Sequence, residues 1–464
     1  MTSAGDISRR AAIGALAAGA GAFALFGPRS DRDKFASRGK LVLDYWEKWT
    51  GVEGQAMQKI VDAFNASQNR LYVRYLITNS IHQKALIAIL GGAAPDIVGL
   101  YAENVPSYTE SNAVLPLEDL AAAAGIKMSD YAPGMHQVMR QGGRWSAIIN
   151  TCGTLALYWN RAIFRECGDA LRKVGLSPDE PPKTIDELDL AHQATTKVAG
   201  GAAFGKGPLE RMGFMHLEPG WWSWIWGQPF GGTILREGNA VCGEPDFVRG
   251  YDWVQSYTEQ LGVDYVETFR SGFGPYGTPQ CAFLTGKVAM CVQGPWMANL
   301  IHQFTPDLDY GVTPIPTIKS LYDPAAPLAV IDTDVMMIPR GCKDPKASME
   351  FIAFTQRPEN VEALASAHCK GSPLVKVSES FFAHHKNRGV RLHTALASSP
   401  RAFTSPRVPQ WPEWKDTFDT AMQDLWKHAD RAKPRMEYLQ RRGQALLDEA
   451  AGRRALRGEA AGNG

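Results

Sequence analysis

Apolar residues along this chain fall into two alternating rhythms, short strand-like runs and longer helical stripes. Leu41-Val-Leu43 reads as a brief buried strand, and the polar-aromatic stretch Asp44-Tyr-Trp-Glu-Lys-Trp49 reads as the loop after it. Met57, Ile60, Val61 and Phe64 recur at helical spacing and mark one face of a helix. Tyr72 to Leu76 is predicted as the next strand, Gln83 to Leu90 as a helix closed by Gly91-Gly92, and Pro95-Asp-Ile-Val98 as the approach to a third strand. Strand, helix, strand, helix, strand in that order predicts an α/β fold, with a parallel or mixed sheet covered by helices.

Farther along, Gly142-Gly143 turns the chain into Trp145 to Asn150, and Leu155 to Trp159 continues as an apolar strand. Thr184 and Glu187 have the spacing of a capping box ahead of a helix. A dense aromatic segment, Glu218-Pro-Gly-Trp-Trp-Ser-Trp-Ile-Trp226, ends at the Gly231-Gly232 turn. A helix over Asp246 to Leu261 precedes a Gly/Pro-rich loop, Ser271 to Pro279. Phe283-Leu284 reads as a helix end, Gly286 as a turn, and Val288, Met290 and Val292 as one face of a strand. Gly294-Pro295 breaks that strand, and Trp296 lands just past the break. Loops at the ends of buried strands in open α/β sheets commonly hold ligands. An indole there offers a rigid apolar face for the C–H face of a sugar ring, or simply for core packing. Asp344 and Pro345 mark the start of a helix running through Thr355. Val408-Pro-Gln-Trp-Pro-Glu-Trp414 leads into a helix carrying Phe418, Met422, Leu425 and Trp426, and residues 449–464 read as a flexible tail.

Composition narrows the class. At 464 residues the chain exceeds the size at which single cores stop growing, so two lobes are expected. The formal net charge of +1 gives no whole-chain attraction to nucleic acid or to an acidic membrane surface. Thirteen tryptophans are an unusual number and point to an aromatic binding site alongside the core. Ser8-Arg9-Arg10 before the apolar run Ala11 to Phe26 reads as an export signal over residues 1–26, resembling a twin-arginine signal with Ala12 where phenylalanine is usual. Ala22 and Ala24 offer a cleavage site, residues 27–39 form a linker, and no other segment approaches a membrane-spanning length. The seven cysteines contain no C-x-x-C pair, so neither a zinc site nor any other metal site is assigned, and no cofactor is implied. In an oxidising compartment an odd count leaves at least one thiol unpaired.

Several stretches, in order, resemble one family. Gly92-Ala-Ala-Pro-Asp-Ile-Val98 resembles G-x-x-P-D-I/V, and Leu157-Tyr-Trp-Asn160 resembles a tyrosine-asparagine strand. Pro182-Lys-Thr-Ile-Asp-Glu-Leu188 resembles P-x-T-W/I-D/E-E-L, and Phe283 to Trp296 resembles F-x-x-G-x-A/T-A-M-x-x-x-G-x-W. Together they resemble the extracellular solute-binding proteins of ABC importers, in the carbohydrate-binding family that includes maltose-binding protein. The resemblance runs from about Lys40 to Trp426. It implies a periplasmic-binding-protein fold: two α/β lobes joined by a hinge, with the ligand cleft between them. The crossings are expected near Asn150–Leu155, Gly311–Thr317 and Lys370–Lys376. Lobe 1 would hold residues 40–151 and 316–372, and lobe 2 residues 152–315 and 373–448. The resemblance implies a monomeric periplasmic protein that captures a carbohydrate ligand and passes it to the permease subunits of an ABC transporter, with no catalytic residue.

By the same resemblance, Trp296 stacks on sugar, and Glu218 with Pro219, Trp221 and Trp222 matches a pocket segment whose carboxylate accepts sugar hydroxyls. In lobe 1, Trp46, Glu47 and Trp49 follow the first strand, while Tyr101, Glu103 and Asn104 resemble a polar clamp. Asp332 and Asp334 sit before Met336-Met-Ile-Pro339, at a cleft-facing turn or at a strand start, and Trp411 and Trp414 match a late aromatic of the family. Two departures argue against maltodextrin itself: Glu103-Asn104 stands where the family has aspartate-arginine, and Gly153 where some members carry a pocket glutamate. One alternative keeps the fold but binds a sugar phosphate or other anionic polyol, which requires clustered cations in the cleft. A secreted glycoside hydrolase is a third reading, with Glu218 paired to Asp332 or Glu103. Gly200 to Lys206 looks like a P-loop, but Gly207 replaces the required Ser/Thr and a helix precedes it.

Overall fold

The computed structural model describes residue 35 and residues 39–456, so the expected export signal, and the expected linker apart from residues 35 and 39, lie outside the described residues. Its main strands are β1 (Leu41–Glu47), β2 (Leu71–Ile77), β3 (Ile97–Tyr101), β4 (Ile148–Thr151), β5 (Thr154–Asn160), β6 (Lys197–Val198), β7 (Leu209–Phe214), β8 (Val288–Gln293), β9 (Tyr310–Thr313), β10 (Ala329–Ile331), β11 (Asp334–Met337) and β12 (Ala402–Phe403). They form two sheets, each with its own apolar core.

The first sheet has the order β2-β1-β3-β11-β4. β1 runs parallel to β2 and β3, whereas β11 runs antiparallel to β3 and β4. The helix Gly51–Ser67 covers it with Met57, Ile60, Val61 and Phe64, the stripe legible in the sequence. Asp44 to Glu47 is strand rather than the expected loop, because every residue from Leu41 to Glu47 pairs with its counterpart from Leu71 to Ile77. The ladder overrides the polar composition, and it points Tyr45 and Glu47 to the same face.

The second sheet has seven strands in the order β12-β10-β5-β8-β7-β6, with β9 also on β5. β5 is fully buried and pairs antiparallel with β8, β9 and β10. The tryptophan excess collects here: Trp159, Trp222, Trp224, Trp226, Trp253, Trp411, Trp414 and Trp426 all belong to this core. Phe283 and Leu284 sit in a turn rather than at a helix end. The C-terminal helix Ala432–Leu456 runs past the expected start of the tail at residue 449, burying Ala450 and pairing Arg454 with Glu110 at 2.9 Å.

The chain leaves the first sheet after Thr151 and enters the second at Thr154. It does not return at Gly311–Thr317: Tyr310–Thr313 is paired along β5, and Thr317 bridges Thr184. The return comes between Ile331 and Asp334, where β10 of one sheet is followed directly by β11 of the other. A third segment passes beside the first, with Gly371 bridging Cys152 and Leu374 bridging Tyr131. Gly153 sits at the tightest point of this crossing. A Cβ there would lie 1.9 Å from the Asp332 carbonyl oxygen and 3.1 Å from the Trp296 ring. No side chain fits, which is the physical reason this chain lacks a glutamate at that position.

Candidate functional site

Two aromatic walls approach each other beside these crossings. On the second-sheet side, Pro295 and the helix Met297–Phe304 hold Trp296 half-buried. The Trp222 ring lies 6.0 Å from it and donates its Nε1–H to Asp332 Oδ2 at 2.9 Å. Trp221 follows at 5.7 Å from Trp222 and is 44 % exposed, and its other flank meets Tyr276 edge-on at 4.6 Å. The Gly/Pro-rich loop read in the sequence thus supplies Tyr276.

On the first-sheet side, Trp49 is buried against His368 at 4.5 Å, and Tyr101 is 48 % exposed at the end of β3. Between the walls stand two lysines. Lys48 Nζ lies 4.9 Å from the Trp49 ring and 4.6 Å from the Tyr101 ring. Lys370 Nζ lies 5.9 Å from the Trp49 ring and 5.5 Å from the Trp296 ring, so one ammonium touches aromatics of both walls.

Asp334 holds this pair. Its Oδ1 is 2.9 Å from Lys48 Nζ, and its Oδ2 accepts from Lys370 Nζ at 2.7 Å and from Thr151 Oγ1 at 2.6 Å. Burial alone would push the Asp334 carboxyl up, but the two ammoniums beside it hold it well below the usual range. Lys48 shows the mirror effect: burial opposes its charge, and Asp334 and Glu47 outweigh that and raise it.

Glu47 is fully buried and serves as a structural anchor. It accepts from Tyr45 Oη at 2.6 Å, from the Lys48 amide at 2.8 Å, from Lys48 Nζ at 3.1 Å and from Asn150 Nδ2 at 3.3 Å. Gly99 makes room for it, since a Cβ there would lie 1.8 Å from Glu47 Oε2. Trp46 packs partly buried on the opposite face of β1 from Tyr45 and Glu47.

Glu218 is 6 % exposed, accepts the Cys281 thiol at 3.5 Å, and is pushed by burial up to about 7. Burial also raises Glu103, against the pull of Lys415, with Asp332, Asp419 and Asp416 adding to the rise. Burial likewise raises Asp332, against the Trp222 hydrogen bond. Asn104 is buried with its Oδ1 unpartnered. Trp411 and Trp414 depart from expectation. Both are 0 % exposed, Trp411 edge-on to Trp224 and both tilted against Phe418, and Trp414 Nε1 donates to the Leu439 carbonyl, so neither presents a face to a ligand here.

The structure therefore gathers Trp49, Tyr101, Trp221, Trp222, Trp296, Asp332 and its neighbour Asp334, and adds Lys48, Lys370, Thr151 and Tyr276, which sequence reasoning did not choose. Lys48 lay inside the aromatic stretch singled out, and Lys370 opens the third expected crossing; both signals were available. Their meeting was not, because Asp334 joins them from a third part of the chain. Elsewhere, a cavity of about 560 Å³ is lined by Arg401, Arg407, Thr404, Ser405, Gln137 and Gln228 among others.

Residues 59–380 match the model of the family described as bacterial extracellular solute-binding protein. A curated relative, the sn-glycerol-3-phosphate-binding periplasmic protein UgpB of Pectobacterium atrosepticum, is 23% identical over 436 residues, covering 87% of this chain and 91% of its own. Among solved structures, CpMnBP1 with mannobiose bound aligns with a TM-score of 0.71 at 23% identity, covering 86% of this chain and 98% of that one. The sugar-binding protein MalE from Xanthomonas citri aligns at 0.70 with 16% identity, covering 91% and 100%. At these identities the structural likeness establishes the two-lobed fold.

Proposed function

The chain belongs to the bacterial extracellular solute-binding protein family, and we propose that it captures a sugar or oligosaccharide and delivers it to an ABC permease. One observation carries the reading. Lys370 stands within 6 Å of tryptophans from both walls, so a ligand lying along Trp296 and Trp222 also meets Trp49 and Tyr101. Such a ligand stabilises the closed arrangement by its differential affinity for closed over open lobes. Indole faces suit the C–H faces of pyranose rings, while Asp332, Glu103 and the lysines suit their hydroxyls. We read the protein as a binder and not a hydrolase, exported through a twin-arginine signal, acting as a monomer in the periplasm. Intrinsic tryptophan fluorescence titrated with a panel of mono- and oligosaccharides tests it: saturable changes are expected. No response to any of them, together with turnover of a glycoside, would overturn it.

A second reading, a sugar phosphate or other anionic polyol as ligand, is favoured by one feature. Arg401 and Arg407 line the cavity of about 560 Å³, and neither has a carboxylate partner among the described residues. Their guanidinium N–H groups go instead to carbonyls, those of Leu321 and Ala326 for Arg401 and those of Ala102, Val138 and Arg140 for Arg407. The relative that binds sn-glycerol 3-phosphate keeps this reading in play.

A further inference from the structure

Two ammoniums beside the aromatic walls would ordinarily mark a site for an anion. Here they are already matched. Lys48 and Lys370 face opposite oxygens of one carboxylate, Asp334, at 2.9 and 2.7 Å, and Lys48 is 3.1 Å from Glu47 as well. These four side chains are at most 6% exposed. Within these four side chains two positive and two negative charges match, and the Glu53 carboxyl beside Lys370 leaves no positive excess. The backbone fixes the arrangement, because Asp334 pairs with Tyr101 on one side of β11 and with Thr151 on the other. Thr151 Oγ1 accepts from Lys370 Nζ at 2.9 Å while donating to Asp334, so the carboxylate cannot swing away without breaking the node.

We propose that Asp334 is a specificity-determining residue: by cancelling Lys48 and Lys370 it makes the cleft select uncharged saccharides against their phosphate esters. This inference rests on the carbohydrate-binding reading above. An entering phosphate meets no net positive charge and must compete with a carboxylate already seated on both ammoniums. The adjacent Asp332 and Glu103 add like charge against it. An uncharged saccharide carries no such penalty, and its hydroxyls both donate and accept.

The test is the ratio of affinities for a neutral ligand and its phosphorylated counterpart, by calorimetry at low and high salt. Maltose, mannobiose, glucose and glycerol, with glucose 6-phosphate and glycerol 3-phosphate, supply the pairs. Wild-type protein is expected to favour the neutral member, with little salt dependence. Asp334→Asn removes the carboxylate charge seated on both ammoniums, and the ratio is expected to move toward the ester by about tenfold or more, the order for one partly screened charge. Lys370→Gln leaves one negative charge in excess and is expected to move the ratio the other way, which keeps the proposal testable should Asp334→Asn fail to fold. A ratio unmoved in both variants overturns the proposal, as does a wild-type preference for the ester. Wild-type protein that binds no member of either set refutes the carbohydrate reading itself, a distinct result.

Discussion

At the scale of single residues, exposure separates tryptophans that resemble each other in sequence. Trp296 is half-buried and its ring neighbours Lys370 and Trp222, whereas Trp411 is enclosed on every side. Trp296→Ala is expected to weaken sugar binding by about 1–3 kcal/mol, read from the titration midpoint, with a small change in melting temperature. Trp411→Ala is expected to do the reverse, costing about 3–5 kcal/mol of stability by opening a core cavity, with binding changed far less in the fraction that folds. His216 gives a second residue-level prediction. Both its ring nitrogens are buried without partners in a box of Phe214, Trp226, Trp253, Tyr257 and Trp426, with His192 nearby. Burial, and then the like charge of His192, hold it well below its ordinary value, so the folded state keeps it neutral while the unfolded chain protonates it near pH 6.5. The unfolded state binds more protons in that window, and stability falls as pH drops through it. His216→Phe removes the penalty. Urea midpoints of the two proteins should therefore draw apart, in favour of the variant, between about pH 7.5 and about pH 5; a constant difference would refute the assignment.

At the scale of elements, helix boundaries were the most legible part of the chain, because their signals are local. Thr184 accepts from the Glu187 amide at 3.3 Å at the start of the helix Ile185–Thr195, though the Glu187 carboxylate reaches the Lys183 amide rather than closing the box on Thr184. Asp344 accepts from the Lys346 and Ala347 amides at 3.0 Å, with Pro345 in the first turn. Asp344→Ala is expected to cost about 0.5–2 kcal/mol, read as a lower denaturant midpoint with unchanged slope. Strand ends were less legible. The expected loop Asp44 to Trp49 became strand through Glu47 because β2 pairs along all of it, and pairing with a segment farther down the chain leaves no mark in local composition. The misplaced second crossing has the same origin: Tyr310–Thr313 is held along β5 by partners far behind it in the chain.

At the scale of the whole molecule, two cores meet along three crossing segments, and the candidate site lies where they converge. A ligand that binds the folded, closed arrangement and not the unfolded chain must raise stability by mass action. At roughly 100 times its dissociation constant the gain is about 2.7 kcal/mol, visible as a rise in melting temperature that scales with the logarithm of ligand concentration. A sugar that quenches fluorescence without that rise would be acting at the surface. The periodicity of apolar residues determined by itself that the chain is α/β and where most helices begin, and the ordered motifs determined its family and which aromatics to examine. Both are encoded in short spacings that any single segment carries. Only the tertiary structure decided which tryptophans face the site, why Gly153 admits no side chain, and that Asp334 brings Lys48 and Lys370 together on one carboxylate. Those facts depend on distances between segments far apart in the chain, and a Coulomb interaction or a packing clash exists only once the fold has set those distances.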